Sequence, residues 1–591
     1  MIRVGILLWL LAFSSSGAVF RVNQHNDSIY PSSLRGAIIA ANSAASYNVI
    51  VLGEGVYKLS ISGADEDHAA RGDLDITGGS LTLLGQGSNT IIDATGLGDR
   101  VFHIFPTAKV TMVGVVIKGG LALSVYAQLS DGGAIYNAGT LSLKNCIISG
   151  NASFQASDLL DVVGGHGAGI YNEGSLSMSG CIVRENFSGR GNPGGNGGGI
   201  YNPGIATIRK TKFISNSAGN ADSTFSGAWG GNGGGIFNGG TMLLTECTLS
   251  ENVSGSGSDG RLRWELGLPV SAEAGGPGGN GAGIFNQGNL KLSSCTLDHN
   301  VAGRAGNGSD TAPLRASGGI GGSGGSGGSG AGLFNSGTAI LETCTISENR
   351  CGKGGAGGLG VPQGGAGGAG GNGAGIYNVN VLKLTSCTVS SNFCGAGGAG
   401  GPGTLTWFTQ SPNAAGGRGG DGGTGGGIYN AENGATAELG NSLIGFNFAA
   451  LGGAGGAAFP PNSIPGAGSP GTPGDAPCLC GAFNSQGFNL VSDSSGSLGF
   501  TNGVGNDLVG NSDFPIDAHL GPLQNNGGFT QTHALLPDSP AIDQGVDFGA
   551  LFDQRGHRRS QDDLSIVNQP GGTGADIGSF EADVRSGRKS N

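Results

Sequence analysis

Apolar and polar residues alternate at fixed offsets from a short recurring tetrapeptide. It consists of a small, an aliphatic and an aromatic residue followed by asparagine, and it occurs eight times. Its asparagines, taken as offset zero, are Asn137, Asn172, Asn202, Asn238, Asn286, Asn335, Asn378 and Asn430. In the first seven copies, apolar residues stand at +4, +6 and +11, a cysteine or threonine at +9, and an asparagine at +14. The eighth copy carries a three-residue insertion and then returns to this register.

The spacing predicts three short strands in each repeat. Period-two alternation at +4/+6 and again at +9/+11 indicates two strands, each with one buried face. The odd step between +6 and +9 marks a bend, and the aliphatic residue at −2 supplies a third strand. Such a unit cannot bury its apolar face alone, so copies must stack around a shared interior. The pattern therefore predicts an all-β fold, a right-handed parallel β-helix, whose hand follows the rule for parallel crossovers.

Glycine-rich segments separate the repeats and account for their unequal lengths. Successive tetrapeptides lie 30 to 52 residues apart, and the variation falls between +14 and the next tetrapeptide. A linker would occur once between domains, whereas this material occurs once per coil. The sequence therefore predicts long glycine-rich loops that leave one edge of the solenoid.

Composition and charge narrow the possible functions. Glycine makes up 126 of the 591 residues, yet 37% of the chain is hydrophobic and only 12% is charged. A chain of this kind has enough apolar material for a core and is not kept unfolded by its own charge. The net charge of −12 argues against nucleic acid or an anionic membrane as the main partner.

The amino-terminal stretch has the features of a secretory signal. One basic residue, Arg3, precedes an apolar run, and Ser16 and Ala18 fit the rule of small residues before a cleavage site. The apolar run of about ten residues is too short to span a bilayer as a helix. We therefore expect a signal peptide over residues 1–18, and an exported protein without a transmembrane span in its mature chain.

Three stretches resemble known bacterial surface proteins. The tetrapeptide with its +14 asparagine resembles the repeats of polymorphic outer membrane proteins and related right-handed β-helix proteins. Residues 33–38 and 40–42 resemble the start of secreted proteins with the CSLREA motif, which implies an amino-terminal capping helix, with residues 72–76 and 100–102 in the first coils. The stretch LGPLQNNGGFTQTHALLPDSPAIDQG, which begins at Leu520, resembles the choice-of-anchor Q domain of surface proteins.

Together the pattern and the resemblances divide the chain into five parts. They are a signal peptide (1–18), an amino-terminal cap with the first coils (19–125), the β-helix repeats with their glycine-rich loops (126–450), a proline- and glycine-rich segment (451–495) and a choice-of-anchor Q-like region (496–591).

The asparagine and cysteine columns are interpreted as structural. Asparagine tolerates a left-handed backbone, and its amide can bond across stacked coils. The cysteines at +9 fit core packing, because thiols on stacked parallel strands are poorly oriented for disulfides and no zinc-ligand spacing is present. Cys351 and Cys394 each follow their column cysteine by seven residues, so an exported protein could join them in a disulfide, with Cys478 and Cys480 as a second pair.

Column +13 carries the residues that most resemble an active site. Glu251, His299 and Glu348 stand on consecutive coils, roughly 4.8 Å apart per step, with Asp298 beside them. Such a row is suited to binding a metal or to acid–base catalysis, and a solvated polar turn explains it equally well. The sequence predicts no cofactor and no metal site.

Two further groups of charged residues receive structural interpretations. We interpret the first as a surface bend, although it would also suit calcium; it comprises Asp65, Glu66, Asp67, Asp73 and Asp75. The second is expected to form internal ion pairs that close the end of the helix; it comprises Asp543, Asp553, Arg555 and Asp576.

Tryptophan is confined to the inter-coil loops in the mature chain. Trp229, Trp264 and Trp407 lie in glycine-rich segments, where they either pin the loops or contact a ligand. The leading interpretation is an exported or bacterial cell-surface protein, either secreted or associated with the outer membrane, that is adhesive, structural or glycan-binding. Its expected partners are glycans or other surface proteins and not nucleic acid. The alternative is a polysaccharide lyase or glycoside hydrolase of the pectate-lyase-like β-helix type.

Overall fold

The computed structural model describes most of the chain. The described residues are 17–44, 47–63, 66–123, 130–153, 162–265, 268–311, 319–405, 413–432, 434–459, 466–559 and 561–583. Nearly all of the predicted signal peptide lies outside them.

Three long parallel sheets, called A, B and C here, form the walls of a right-handed β-helix, as the sequence predicts. Sheet A has thirteen strands: Val19–Val22, Tyr47–Leu52, Ser80–Leu84, Lys109–Val113, Thr140–Lys144, Ser175–Ser179, Ile205–Arg209, Thr241–Thr245, Asn289–Ser293, Thr338–Glu342, Val381–Thr385, Thr436–Gly440 and Asn484–Gly487. Sheet B also has thirteen: Gly55–Lys58, Thr90–Asp93, Val116–Lys118, Ile147–Ser149, Ile182–Arg184, Lys212–Ile214, Thr248–Ser250, Thr296–Asp298, Thr345–Ser347, Thr388–Ser390, Leu443–Gly445, Leu490–Val491 and Leu508–Val509. Sheet C has twelve: Leu74–Ile76, Phe102–Ile104, Ile135–Asn137, Ile170–Asn172, Ile200–Asn202, Ile236–Asn238, Ile284–Asn286, Leu333–Asn335, Ile376–Asn378, Ile428–Asn430, Leu479–Ala482 and Ser497–Leu498.

The repeat offsets become columns in this fold. Leu290, for example, pairs in register with Ala339 of the next coil, and Leu292 pairs with Leu341. All four side chains are buried in the shared interior. Burying a leucine or isoleucine stabilises the fold by about 1.5–3 kcal/mol, so the stack of coils supplies the core that one coil lacks.

Residues in left-handed conformation turn the corners between the sheets. At +8, between sheets A and B, Glu246 and Ser294 both have φ of 53°. At +13, after sheet B, Glu251 has φ of 57° and His299 of 53°. The bend that the sequence predicts between +6 and +9 is therefore confirmed, and column +13 is a second corner.

The asparagine columns form two buried ladders, which confirms their structural interpretation. In the offset-zero ladder each side-chain amide donates to the amide oxygen of the next coil at 2.6–2.8 Å, from Asn137 to Asn430. In the +14 ladder the corresponding distances from Asn151 to Asn447 are 2.9–3.0 Å. Because these amides bond to one another and to backbone in the interior, they are not available to a ligand.

A helix over Leu34–Asn42 caps the amino-terminal end of the solenoid, as expected. Ser33 is its N-cap and accepts a hydrogen bond from the Gly36 N–H at 3.2 Å. Position 36 requires glycine, because a Cβ there would lie 2.0 Å from the Tyr30 carbonyl oxygen. Buried Arg35 pairs with Asp27 at 2.8 Å and fastens the helix to the first coil. Among the described residues, no helix is long and apolar enough to cross a bilayer.

The carboxy-terminal region folds back along the outer face of sheet B. It contains an antiparallel hairpin, Leu520–Gln524 with Thr532–Leu535, and a second small core around Ala541, Ile577 and Phe580. Thr345 Oγ1 of sheet B contacts both Gln554 Oε1, at 2.6 Å, and Ser579 Oγ, at 2.9 Å. The region therefore covers the side of the solenoid at these coils. The sequence predicts that its charged residues close the end of the helix, and it does not predict this cover.

Gln554 joins this region to sheet B through several side-chain hydrogen bonds. Its side chain is buried and donates to Cys295 O, Thr296 Oγ1 and Thr530 Oγ1 while bonding Thr345 Oγ1. We expect Gln554→Ala to lower the free energy of unfolding of this region by about 2–3 kcal/mol, because it leaves buried polar groups unpaired. Faster amide hydrogen exchange in residues 520–583, with unchanged exchange in the amino-terminal coils, would verify this. Exchange rates identical to the wild type would contradict it.

Candidate functional site

The glycine-rich segments form an ordered double layer beside the solenoid, called the glycine slab here. Outgoing arms follow the +14 asparagines and comprise residues 217–223, 253–260, 301–311, 350–360, 393–403 and 448–458. Incoming arms precede the next tetrapeptide and comprise residues 193–197, 228–233, 274–281, 320–330, 363–373, 415–425 and 466–474. The edge is the one predicted from the sequence, but the segments are regular, hydrogen-bonded arms and not irregular loops.

Backbone hydrogen bonds join the arms in two directions. The Gly367 N–H donates to the Arg418 carbonyl of the next incoming arm at 2.8 Å, and the Gly365 N–H donates to Gly358 O of the outgoing arm at 2.8 Å. The Gly358 N–H in turn donates to Gly322 O at 2.8 Å. Equivalent bonds recur every three residues, which is the period of polyproline II, a conformation whose backbone groups are free to bond to neighbouring segments.

Most of the inner positions of the arms, two in every three residues, are glycine, and a few are Ala, Ser or Cys. A Cβ added at Gly365 would lie 2.0 Å from Gly322 O, and one at Gly368 would lie 1.7 Å from Gly325 O. The third residue of each triplet, such as Ala366 or Ala369, is exposed on the outer face. The slab therefore has a glycine interior and two faces that carry one side chain per three residues.

The two cysteines of the predicted Cys351–Cys394 disulfide are free thiols beneath the slab, as are Cys478 and Cys480. The Cys351 thiol donates to Asn372 O at 3.1 Å, and the Cys394 thiol donates to Thr424 O at 3.0 Å. Ser254, at the same offset in an earlier coil, donates its hydroxyl to Gly279 O at 2.8 Å. Each thiol thus fastens an outgoing arm to its own incoming arm, and the disulfide between Cys351 and Cys394 stays a prediction.

The cysteines at +9 lie in the core, as predicted. Cys146, Cys247, Cys295, Cys344 and Cys387 have no solvent exposure. Their thiols donate to backbone carbonyls nearby, so they act as small packing residues.

Trp229 stands on the outer face of the incoming layer and is 64% exposed. It occupies the outward position of its triplet, since its carbonyl accepts from the Gly194 N–H and the next residue, Gly230, donates to Pro277 O. Pro193 and Pro277 therefore flank Trp229 on neighbouring coils, and Pro193 is also exposed. The three residues form an apolar row on this face, called the Trp229 row here.

The other two tryptophans give less information. Trp264 lies in a hairpin, Leu262–Glu265 with Leu268–Ala272, where its backbone pairs with Pro269. Its side chain and the whole of Trp407 lie outside the described residues.

Sequence reasoning missed a ladder of stacked rings along the outer face of sheet C. The rings come from the aromatic position of each tetrapeptide, with centroids 4.7–5.1 Å apart and planes within 4–16° of parallel. The members are Tyr136, Tyr171, Tyr201, Phe237, Phe285, Phe334, Tyr377 and Tyr429. Because the ring faces contact one another, the ladder has only edges to offer a ligand, and its role is to stabilise the stack. The sequence signal for this ladder is the residue before each tetrapeptide asparagine, which is aromatic in every copy.

The Glu251, His299 and Glu348 row lies at the corner after sheet B. His299 Nδ1 is 2.9 Å from Asp298 Oδ2, and its Nε2 is 2.5 Å from Glu348 Oε2. Hydrogen bonding to Asp298, followed by the Glu348 charge, raises the pKa of His299 above its ordinary value. Glu251 accepts from Ser215 Oγ at 3.0 Å in the preceding coil.

This geometry makes the row a poor site for a metal ion. Asp298 and Glu348 contact opposite nitrogens of the His299 ring. A single metal ion therefore cannot bind His299 and both of these carboxylates. His299 is about half exposed, which matches the interpretation as a solvated corner. The row therefore gives no support to the lyase or hydrolase alternative.

The amino-terminal acidic residues divide into a bend and a buried group. Glu66 accepts from the N–H groups of His68 and Arg71, as expected for a bend, and Asp65 lies outside the described residues. Asp73 and Asp75 are buried, so the interpretation as a surface bend is wrong for them. Burial and neighbouring carboxylates hold the pKa of Asp73 well above its ordinary value.

The carboxy-terminal charged residues are internal, as expected, but only some of them pair. Arg555 and Asp553 form a buried ion pair at 2.8 Å. Asp576 instead accepts the Asp543 N–H at 2.8 Å, and burial together with the Glu581 charge raises its pKa to about 8.

A groove of about 540 Å³ separates the outer face of sheet A from the segment around Phe548 to Gly556. Its charged groups are already engaged in pairs, with Arg209 on Glu246 at 3.1 Å. Lys291 similarly pairs with Glu342, another lining residue, at 2.9 Å. The groove is open and its charges neutralise one another, so it does not resemble the convergent polar pocket of an enzyme.

Comparison with known proteins adds little to this description. No protein-family model matches the chain, and no curated protein matches it. Among solved structures, ORF18 of Geobacillus virus E2 is similar over 55% of this chain and 57% of its own length, with 13% sequence identity and a TM-score of 0.28. The matched region thus spans a little over half of the viral protein, and a likeness at this level carries no argument about function.

Proposed function

We propose that this protein is an exported, cell-surface scaffold without catalytic activity that binds glycans through the outer face of its glycine slab. The observation that carries the proposal is the Trp229 row on a rigid, flat face. An exposed tryptophan supplies a large apolar contact with a polar N–H, a combination suited to sugar rings. The slab holds the row in place before binding, so little conformational entropy is lost when a ligand is bound.

The solenoid supports this function by its rigidity. Hydrogen-bonded arms on the coils that carry the glycine slab fix the spacing of the outward side chains, and the buried asparagine ladders tie successive coils together. Arms of different length and composition then produce different faces without a change of fold. The expected location is the bacterial surface, where a long rigid body presents its edge to other cells or polymers.

We expect Trp229→Ala to weaken binding of the selected glycan by about 30-fold, the loss of a hot spot worth about 2 kcal/mol. The full chain would be screened on a glycan array and then titrated with the strongest ligand by calorimetry. Trp229 is exposed, so the substitution should leave the fold and its thermal stability unchanged.

The matched control is Ser326→Ala, which alters an outward residue of a later incoming arm. It should bind like the wild type. Equal affinity of Trp229→Ala and the wild type would contradict the Trp229 row as the contact, and absence of any glycan signal would contradict the glycan class. Release of unsaturated or reducing sugars from a polysaccharide would contradict the absence of catalysis.

A further inference from the structure

The outer column of sheet C changes chemistry at its amino-terminal end. Tyr136 begins the aromatic ladder, and the residue in register with it on the preceding strand is His103. One strand earlier the same position is Asp75. The column therefore changes from rings to an imidazole and a carboxylate at the strands nearest the cap.

Asp75 has an unsatisfied carboxylate oxygen in a buried position. Its side chain has no solvent exposure, and its Oδ2 accepts the Ala69 N–H at 2.8 Å. Its Oδ1 accepts no hydrogen bond from the described residues and lies 3.5 Å from His103 Nδ1. Because a buried polar oxygen without a hydrogen bond is costly, this position favours a further positive or donating group.

A third side chain completes the cluster from the segment that joins the first strand of sheet B to the first strand of sheet C. Asp67 lies in that segment, and one ligand atom each of Asp67, Asp75 and His103 lie within 4.8 Å of one another. The His103 ring is held by Phe105, with centroids 4.1 Å apart, and by an edge contact with Tyr136 at 5.2 Å. Two of the three donors are thus fixed by strand register and packing, and the third is on an exposed side chain.

The surrounding charge favours a cation. Buried Asp73 and Asp99 lie close by, and Arg100 is shared between them at 3.4 and 3.9 Å. Arg35, the other nearby cation, is paired with Asp27. Carboxylates therefore outnumber basic side chains around Asp75.

We propose that Asp67, Asp75 and His103 bind one divalent transition-metal ion of the zinc class, with the remaining positions open to water. The 3.5 Å between His103 Nδ1 and Asp75 Oδ1 matches the about 3.4 Å between ligands of a tetrahedral site with bonds of about 2.1 Å. An imidazole and two carboxylates suit such an ion, whereas calcium takes six to eight oxygen ligands. The ion would fasten the segment that carries Asp67 to the first two strands of sheet C.

The test is calorimetric titration of the full chain, treated with EDTA and dialysed, with ZnCl₂ and separately with CaCl₂. We expect one zinc site per chain, and at least about tenfold weaker affinity in Asp67→Asn and in His103→Tyr. Zinc should also raise the melting temperature of the wild type and not that of His103→Tyr. His103→Tyr is chosen because it extends the aromatic column and should fold, which circular dichroism would verify.

His299→Gln is the matched control, because it removes the other imidazole that lies between carboxylates and should keep the zinc affinity of the wild type. Failure of the wild type to bind zinc would overturn the proposal. Undiminished zinc binding by His103→Tyr would also overturn it, as would a site that takes calcium in preference to zinc.

Discussion

Replacing Gly368 with alanine is expected to disrupt the glycine slab locally and to destabilise the protein by at least about 3 kcal/mol. The added Cβ would lie 1.7 Å from Gly325 O, a backbone atom that cannot turn away. The substitution also removes conformational freedom from the unfolded chain, but this stabilises by at most about 1 kcal/mol and does not offset the clash.

The neighbouring position provides the control for this prediction. Ala369→Ser changes an exposed outward residue of the same arm and should alter stability by less than about 0.5 kcal/mol. Amide hydrogen exchange resolves the effect, because Gly368→Ala should expose the N–H groups of Gly371 and Gly395, which donate to Gly352 O and Gly371 O. Equal protection of these amides in both variants would show that the arms are not packed as described.

Replacing Asn300 with alanine is expected to lower the free energy of unfolding by about 3–5 kcal/mol. The Asn300 amide donates to Leu249 O at 3.0 Å and to Asn349 Oδ1 at 2.9 Å, while its oxygen accepts from Asn252 Nδ2 at 3.0 Å. Alanine removes these bonds and leaves several groups unpaired in a site without solvent exposure, each at a cost of about 1–3 kcal/mol.

The effect of Asn300→Ala should be measured by denaturant unfolding and compared with Asn307→Ala. Asn307 lies on the glycine slab, is half-buried, and accepts one hydrogen bond from the Ala356 N–H at 2.9 Å. Its loss should cost about 1 kcal/mol or less, since water can replace the missing partner. Similar losses in the two variants would contradict the ladder as a main source of stability.

Much of the solenoid was predictable because each coil repeats the same local pattern. The inward residues at +4 and +6, such as Leu290 and Leu292, lie in the core as their alternation predicts. The asparagines at offset zero and +14 bond across coils because equal positions must face each other in a parallel register. The ring ladder follows from the tetrapeptide for the same reason, because its aromatic position also repeats from coil to coil.

The candidate sites were less predictable because they depend on contacts between segments with unrelated positions in the repeat. Cys351 and Cys394 have a spacing that fits a disulfide, but each thiol contacts the carbonyl of a returning arm. Glu251, His299 and Glu348 are adjacent in the stack, yet the two carboxylate contacts of His299 fall on opposite ring nitrogens. Spacing predicts that these residues lie on neighbouring coils, but it does not predict the directions in which their polar atoms point.

The sequence by itself determined the β-helix, its bends, its buried columns and the edge from which the glycine-rich segments leave. Strand periodicity is local, and stacking repeats it in register, so a single pattern specifies every coil. Only the tertiary structure decided that these segments pack as a two-layer slab, that the carboxy-terminal region covers sheet B through Gln554, and that Asp67 meets Asp75 and His103. Each of these contacts joins segments across the repeat, where backbone carbonyls and buried side chains find partners that the alternation of apolar residues within a coil does not encode.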